Sequence, residues 1–565
     1  MTPDTRHMTH DTKHTRRSFL RAMACGTAGI AAMSLAGPLI SSSGRKDKER
    51  PNILLIMADD MGYSDIGCYG SEIHTPHIDS LAENGLRFTQ FYNNARCCPS
   101  RASLLTGLYP HQAGIGLMTA DDGLPGYRGE LTDDAVTIAE VLKGAGYQTG
   151  GAGKWHLTKF NPEDQQGWPL QRGFDRWYGI IRGASSYYNP VSLLRGNRQI
   201  EPEGEDYYFT DAVTENLLGM IDNFAAADAP YFLYASYTAP HWPLHALQKD
   251  IEKYEGTYLK GWDALREQRY RRMVEMGIIK SHWDLSPRDS RVEPWAEAQH
   301  KDWQARRMAV YSAQIDRMDQ GIGRLLDRLR KRGEYENTLV LFLADNGGCA
   351  ERLSERWRGL PAIPDTTRDG RPVQLGNDPG TMPGPEDTYQ SYGIPWANVS
   401  DTPFRWYKHY IHEGGIATPL VISWPGRIRK KGGLEHGVGH IIDVMATVLD
   451  VTKTEYPDTH RERAITPIEG KSLLPLFSWQ ERAGHEILGW EHHGNKGLRA
   501  GRWKLVSTRS GEWELYDMEA DRTELHDLSS QMPEKVQELE KHYQEWADWC
   551  DVIPYERLME RRKSG

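Results

Sequence analysis

The chain has 565 residues, 68 Lys/Arg against 78 Asp/Glu, a formal net charge of −10, and 39% hydrophobic and 26% charged residues. That length exceeds one comfortable hydrophobic core and predicts a large domain with a smaller companion in a globular protein. The acidic balance disfavours nucleic acid as a partner. Beyond the first 36 residues no apolar run is long enough to cross a bilayer, so stable membrane insertion is not expected.

At the N-terminus, Thr15-Arg16-Arg17-Ser18-Phe19-Leu20-Arg21 precedes a weakly apolar, Ala/Gly-rich run from Ala22 to Ala36. Residues 1–36 resemble a bacterial twin-arginine (Tat) export signal, with Ser34-Leu35-Ala36 as the cleavage site. The resemblance implies the Tat machinery as a partner and a periplasmic or secreted location. A transmembrane anchor fits less well because the run is short. Residues 1–36 carry five Lys/Arg and two Asp, so their removal takes the net charge from −10 to −13. The six cysteines (25, 68, 97, 98, 349 and 550) show no metal-ligand spacing, and no disulfide framework is expected.

Several continuous apolar runs read as central strands of a sheet covered on both faces. Asn52 to Met57 runs into Asp59-Asp60, Tyr231 to Tyr234 leads to Pro240-His241, and Thr338 to Leu343 runs into Asp345-Asn346-Gly347. Leu420 to Trp424 is a further candidate. Helical spacing covers Val136–Ala145 and Arg307–Arg332, and a Tyr/Trp-rich segment from about Gln248 to Trp303 reads as helical cleft wall. Alternating strands and helices predict an α/β fold with a large, mostly parallel sheet. Residues 359–400, rich in Pro, Gly and Asp, read as a long ordered loop or lid. The catalytic domain is expected over 50–460. A smaller α+β subdomain over 485–550 follows, with short antiparallel strands and a helix over Pro533–Trp549.

Ligands in such sheets collect at the carboxyl ends of strands, where Asp59, Asp60, His241, Asp345 and Asn346 fall. Four oxygen-bearing side chains without paired His or Cys select calcium or magnesium over zinc. His241 and His245 are four apart, but Pro240 and Pro243 argue against the helix a zinc pair would need. Lys154 and His156 stand two apart, on one face if extended. Arg101 lies one helical turn after Cys97. Lys408 precedes Glu413-Gly414-Gly415 by five residues, flanked by the unassigned His409 and His412.

The segment Cys97-Cys98-Pro99-Ser100-Arg101, followed by Leu104-Leu105-Thr106-Gly107, resembles the signature of type I sulfatases. With the other motifs in order, the resemblance covers roughly residues 50 to 550. It implies an alkaline phosphatase-like fold and an arylsulfatase-like hydrolase acting on an aryl or carbohydrate sulfate ester. It also implies conversion of Cys97 to formylglycine by a formylglycine-generating or sulfatase-maturing enzyme. One calcium would be bound by Asp59, Asp60, Asp345, Asn346 and the converted residue 97. One hydroxyl of the hydrated aldehyde attacks sulfur, and the second loses its proton to expel sulfate. In that scheme Arg101 stabilises the hydrate, Lys154 and Lys408 bind sulfate, His156 takes the proton, and His241 protonates the leaving alcohol. Ala417 stands where the family often has Arg, which departs from the animal pattern. A phosphonate or phosphate ester hydrolase on the same scaffold is the nearest alternative. A non-catalytic sulfated-glycan binder is opposed by the complete catalytic set.

Overall fold

The computed structural model describes residues 50–227, 229–478 and 480–564. The twin-arginine segment, Cys25 and the expected cleavage site lie outside the described residues. The expected apolar runs form β1 (Asn52–Asp59), β7 (Tyr231–Pro240) and β8 (Thr338–Ala344), and between them lie β2 (Leu86–Tyr92), β3 (Gln148–Lys154), β4 (Arg176–Ile180), β5 (Leu193–Arg195) and β6 (Arg198–Gln199), which no such run marked. They continue with β9 (Ala417–Ser423), β10 (Gly433–Glu435) and β11 (Gly439–His440). These make an eleven-stranded sheet in the order β10-β2-β9-β8-β1-β7-β3-β4-β5-β6, with β11 also on β2. Pairing is parallel through β8-β1-β7-β3-β4, whereas β9 is antiparallel to both of its neighbours.

Strand β1 shows why the apolar runs are unbroken. Leu54, Ile56 and Ala58 enter the core on one face, and Ile53, Leu55 and Met57 enter the core on the other. Alternate side chains point to opposite faces, so a strand covered on both sides can spare no polar position until it ends.

The helices that matter for the site are α1 (Cys97–Thr106), α2 (Ile138–Gly144), α3 (Phe209–Phe224), α4 (Lys301–Lys331) and α5 (Glu413–Ile416). In α2, Thr137 and Glu140 form a reciprocal capping box, which sets its start inside the expected 136–145 span. α4 starts earlier than expected because Trp303 and Ala305 extend its buried stripe toward the N-terminus. The segment 248–303 is helical only at Gln248–Ile251, Gly261–Glu275 and two short 3₁₀ turns before Lys301 begins α4. Residues 359–400 are less loop-like than expected. They contain a two-stranded parallel pairing of Gln374–Leu375 with Thr388–Tyr389 and end in the helix Gly393–Ser400.

Toward the C-terminus, β12 (Ile487–His492), β13 (Asn495–Ala500), β14 (Trp503–Ser507) and β15 (Glu514–Asp517) form an antiparallel meander, with α6 (Pro533–Trp549) packed on it. A further helix, Tyr555–Ser564, follows. Glu413, at the first turn of α5, ties this sheet to the main one. Its carboxylate accepts from Lys504 Nζ at 2.9 Å, Arg522 Nε at 2.9 Å and Tyr92 Oη at 3.0 Å. All three ionic side chains are buried. Burial pushes the Glu413 carboxyl up, but Lys504, Arg522 and Arg499 outweigh it and hold it at about 2, against an ordinary 4.5.

A depressed carboxyl stabilises the fold fully above its unfolded pKa and loses that contribution as pH falls through the folded one. We therefore expect unfolding free energy, read from urea melts, to drop between pH 4.5 and 2 in a part that Glu413→Gln removes. Glu413→Ala at neutral pH, which takes the carboxylate from buried Arg522 and leaves Lys504 with Glu524 alone, should cost about 3–5 kcal/mol.

Candidate active site

The sheet delivers its chemistry at the carboxyl edge, where adjacent parallel strands stop together. Ala58 of β1 pairs with Ala344 of β8, so Asp59-Asp60 and Asp345-Asn346 emerge side by side. Asp60 turns into the left-handed region (φ 63), and its N–H donates to Asp345 Oδ1 at 3.1 Å. Gly347 then passes so close to the Glu413-Gly414-Gly415 turn that a Cβ on it would lie 1.8 Å from the Gly414 carbonyl oxygen. The Asp-Asn-Gly and Glu-Gly-Gly sequences thus meet in space, and the second carries Lys408 to the first.

All ten residues expected at the site converge there. Lys154, at the end of β3, donates to Asp59 Oδ1 and Oδ2 at 2.9 and 2.7 Å. Arg101, one turn into α1, donates from Nε and Nη2 to Asp345 Oδ2 at 3.1 and 2.8 Å, and from Nη1 to the Lys154 carbonyl at 3.1 Å. Ser236 of β7 also receives Arg101 Nη1. Lys408 Nζ lies 2.7 Å from Asp60 Oδ1 and 3.4 Å from His241 Nε2. Cys97 opens α1, and its Sγ lies 3.3 Å from His156 Nδ1. The Gly183 Cα approaches the His156 ring so closely that an added Cβ would sit 2.3 Å from Cε1, which fixes the ring.

His241 lies between two cis prolyl bonds, Ala239-Pro240 and Trp242-Pro243, outside any helix. His245 turns elsewhere: its Nε2 lies 2.6 Å from the Thr388 carbonyl. The two imidazoles thus face different partners, the Trp242 and Thr388 carbonyls.

Electrostatics divide the site by role. Burial, then Asp59, pushes the Asp345 carboxyl up to about 8. Burial opposes ionisation of Asp60 too, but His241 and Lys408 outweigh it and hold that carboxyl at about 2. Burial holds His156 and His241 each at about 4, so both imidazoles are uncharged near neutrality. A hydrogen bond from Cys98, reinforced by Lys154 and His156, holds the Cys97 thiol well below its ordinary value despite burial. The five described cysteines are all free thiols and all buried.

The donor set fits a hard divalent cation. Three fully buried carboxylates crowd one point, and the buried Asn346 Oδ1 beside them has no hydrogen-bond partner. Asp59, Asp60 and His241 also offer ligand atoms within 4.8 Å of one another. Oxygen-rich crowding of this kind is relieved by calcium or magnesium.

The sequence reading passed over some residues at this edge. Glu351 accepts from Arg96 Nη1 at 2.9 Å and from Trp242 Nε1 at 2.7 Å, and lies 3.2 Å from His409 Nε2. Arg96 directly precedes Cys97 and His409 follows Lys408, and those adjacencies were the available signal.

The family model described as Sulfatase matches residues 51–454. The chain belongs to the sulfatase family. A second model, N-sulphoglucosamine sulphohydrolase, C-terminal, matches residues 403–548 of this sulfatase. The arylsulfatase of Klebsiella aerogenes is 34% identical over 474 residues, covering 79% of this chain and 96% of its own length. Among solved structures, BT4656 in complex with its substrate D-glucosamine-2-N,6-O-disulfate aligns with a TM-score of 0.61 at 22% identity, covering 90% and 99% of the two chains. The phosphonate monoester hydrolase of Agrobacterium radiobacter shares the fold with a TM-score of 0.52 at 18% identity, covering 91% and 96%. Among the described residues no helix is long and apolar enough to cross a membrane.

Millimolar calcium added to chelator-treated sulfatase should raise its melting temperature in a concentration-dependent way, as binding to the native state requires. Asp60→Ala should abolish that shift; a shift that survives the substitution would place the ion elsewhere.

Proposed function

We propose that this sulfatase hydrolyses an aryl or carbohydrate sulfate ester with a formylglycine made from Cys97 and one calcium ion. The observation that carries the reading is Cys97 at the first turn of a buried helix, facing His156, with Arg101 and two lysines around the same carboxylate cluster. The hydrated formylglycine supplies one hydroxyl to attack sulfur and a second to release sulfate. Asp59, Asp60, Asp345, Asn346 and residue 97 would hold the calcium, which would supply Lewis acidity toward a sulfate oxygen.

The chain's own residues do the rest. Lys154 and Lys408 present ammonium groups to the sulfate oxygens, and their carboxylate partners hold them in place before substrate arrives. Arg101 is locked by Asp345, the Lys154 carbonyl and Ser236, so its charge stays over residue 97 at no reorganisation cost. Uncharged His156, 3.3 Å from the Cys97 Sγ, accepts the proton that sulfate release requires. His241 Nδ1–H donates to the Trp242 carbonyl at 2.7 Å, which leaves Nε2 as an acceptor toward Lys408. Lys408, kept as an ammonium and oriented by Asp60 and His241 Nε2, would then assist the leaving oxygen as a hydrogen-bond donor. Exposure of 6% or less at all ten residues keeps bulk water from competing.

Export through the Tat machinery to the periplasm or medium completes the reading, and a maturing enzyme acting on residues 97–101 precedes it. A peptide mass spectrum across residues 97–101 of active protein should show conversion of Cys97, and an unmodified thiol there would overturn the mechanism. Cys97→Ala should abolish sulfate release. Matched aryl sulfate and aryl phosphonate esters decide the competing reading: a large preference for the phosphonate would replace sulfatase with phosphonate ester hydrolase activity. Lys substitutions at both Arg16 and Arg17 should leave the protein in the cytoplasm, as cell fractionation would read.

A further inference from the structure

Beside residue 97 lies a second cluster that the mechanism does not use. His409, His492 and His493 bring ring nitrogens within 4.8 Å of one another, with Arg96 and Glu351 at their edge. His492 is fully buried at the end of β12, and neither of its ring nitrogens has a hydrogen-bond partner. His493 Nε2 and Arg96 Nε are also buried and unpartnered. Four such atoms in one spot are unusual, because a buried polar group without a partner costs about 1–3 kcal/mol. A reason to keep them is a ligand that pairs with them.

The chemistry of the four atoms specifies that ligand. An uncharged imidazole offers one donor and one acceptor, and a guanidinium Nε offers a donor. Burial keeps both imidazoles uncharged, holding His493 at about 3. Glu351 adds carboxylate acceptors, already shared with Arg96 and His409. Above Glu351 stand Trp242, its hydrogen-bond donor, and Trp357, packed edge-on at 5.5 Å. Mixed donors and acceptors beside indole faces suit a ring that carries several hydroxyls. A plain aryl ring would leave every one of the four atoms unpaired. A small dication is disfavoured by Arg96, Arg509 and Arg562, whose charges all bear on His493.

We infer that Arg96, Glu351, His409, His492 and His493 form a subsite for a polyhydroxylated leaving group, so that the preferred substrate is the sulfate ester of a sugar. The inference rests on the sulfatase reading and narrows it. Neither aryl nor simple alkyl sulfates would use the subsite.

The test compares the sulfatase, with conversion at residue 97 verified, on monosulfates of galactose, glucose and N-acetylglucosamine and on 4-nitrophenyl sulfate. At least one sugar ester should show the higher kcat/KM. His493→Phe keeps the stack on Tyr555 and removes the nitrogens, and should lower the sugar-over-aryl ratio by about tenfold or more, chiefly through KM. His492→Gln restores polar atoms and should lose less of that ratio than His492→Leu. Equal losses on both substrate types would make the histidines structural and overturn the subsite, as would a zinc ion found at one per chain and lost in His493→Phe. Turnover of the aryl ester alone would sink the subsite and leave the sulfatase reading intact. Sulfate release from none of the esters would sink that reading itself.

Discussion

The constraint on which this structure depends is the burial of three carboxylates, Asp59, Asp60 and Asp345, at the meeting point of two strand ends. Taking such groups out of water costs several kcal/mol each unless opposite charge is supplied. Lys154, Arg101 and Lys408 supply it, and each is itself buried and held by the carboxylate it neutralises. Geometry therefore follows from charge: none of the three cations can leave the cluster without stranding a partner. The same pairing that lets the fold close also preloads the site with the charges a sulfate ester needs.

Strand direction explains why these groups lie together. Parallel β8, β1, β7 and β3 all end at one edge, so Asp345, Asp60, His241 and Lys154 arrive there from four separate stretches of sequence. α1 then enters with its N-terminus at that edge, placing Cys97 where backbone N–H groups favour negative charge. The Gly347–Gly414 approach draws in the last cation.

That dependence on strand ends is also why so much could be read from sequence. Each central strand is apolar on both faces, so the first polar residue marks its end, and in a mostly parallel sheet the ends share one edge. Periodicity could not reveal the antiparallel direction of β9, since a doubly buried run reads alike in either sense. Nor did the sequence show that residues 359–400 hold paired strands and a helix, because Pro and Gly density there mimics loop composition. Glu351 escaped notice for a different reason. It follows the Asp-Asn-Gly turn with no pattern of its own, and its meaning comes from Arg96, Trp242 and His409, contributed by three distant stretches. His492 and His493 likewise look like an ordinary strand end until β12 is placed beside residue 409.

The two sheets divide the work accordingly. The large sheet carries the buried charges of the candidate site, and these are locked by mutual neutralisation. The small sheet reaches the same point from the other side through His492 and His493, and is anchored there by Glu413 to Lys504 and Arg522. Glu413 stands five residues after Lys408, so the ion pairs that dock the small sheet also fix the backbone bearing that lysine. Loosening that dock would shift Lys408 and the histidine cluster together. Lys408 and the small sheet that carries His492 and His493 are thus held through one buried glutamate.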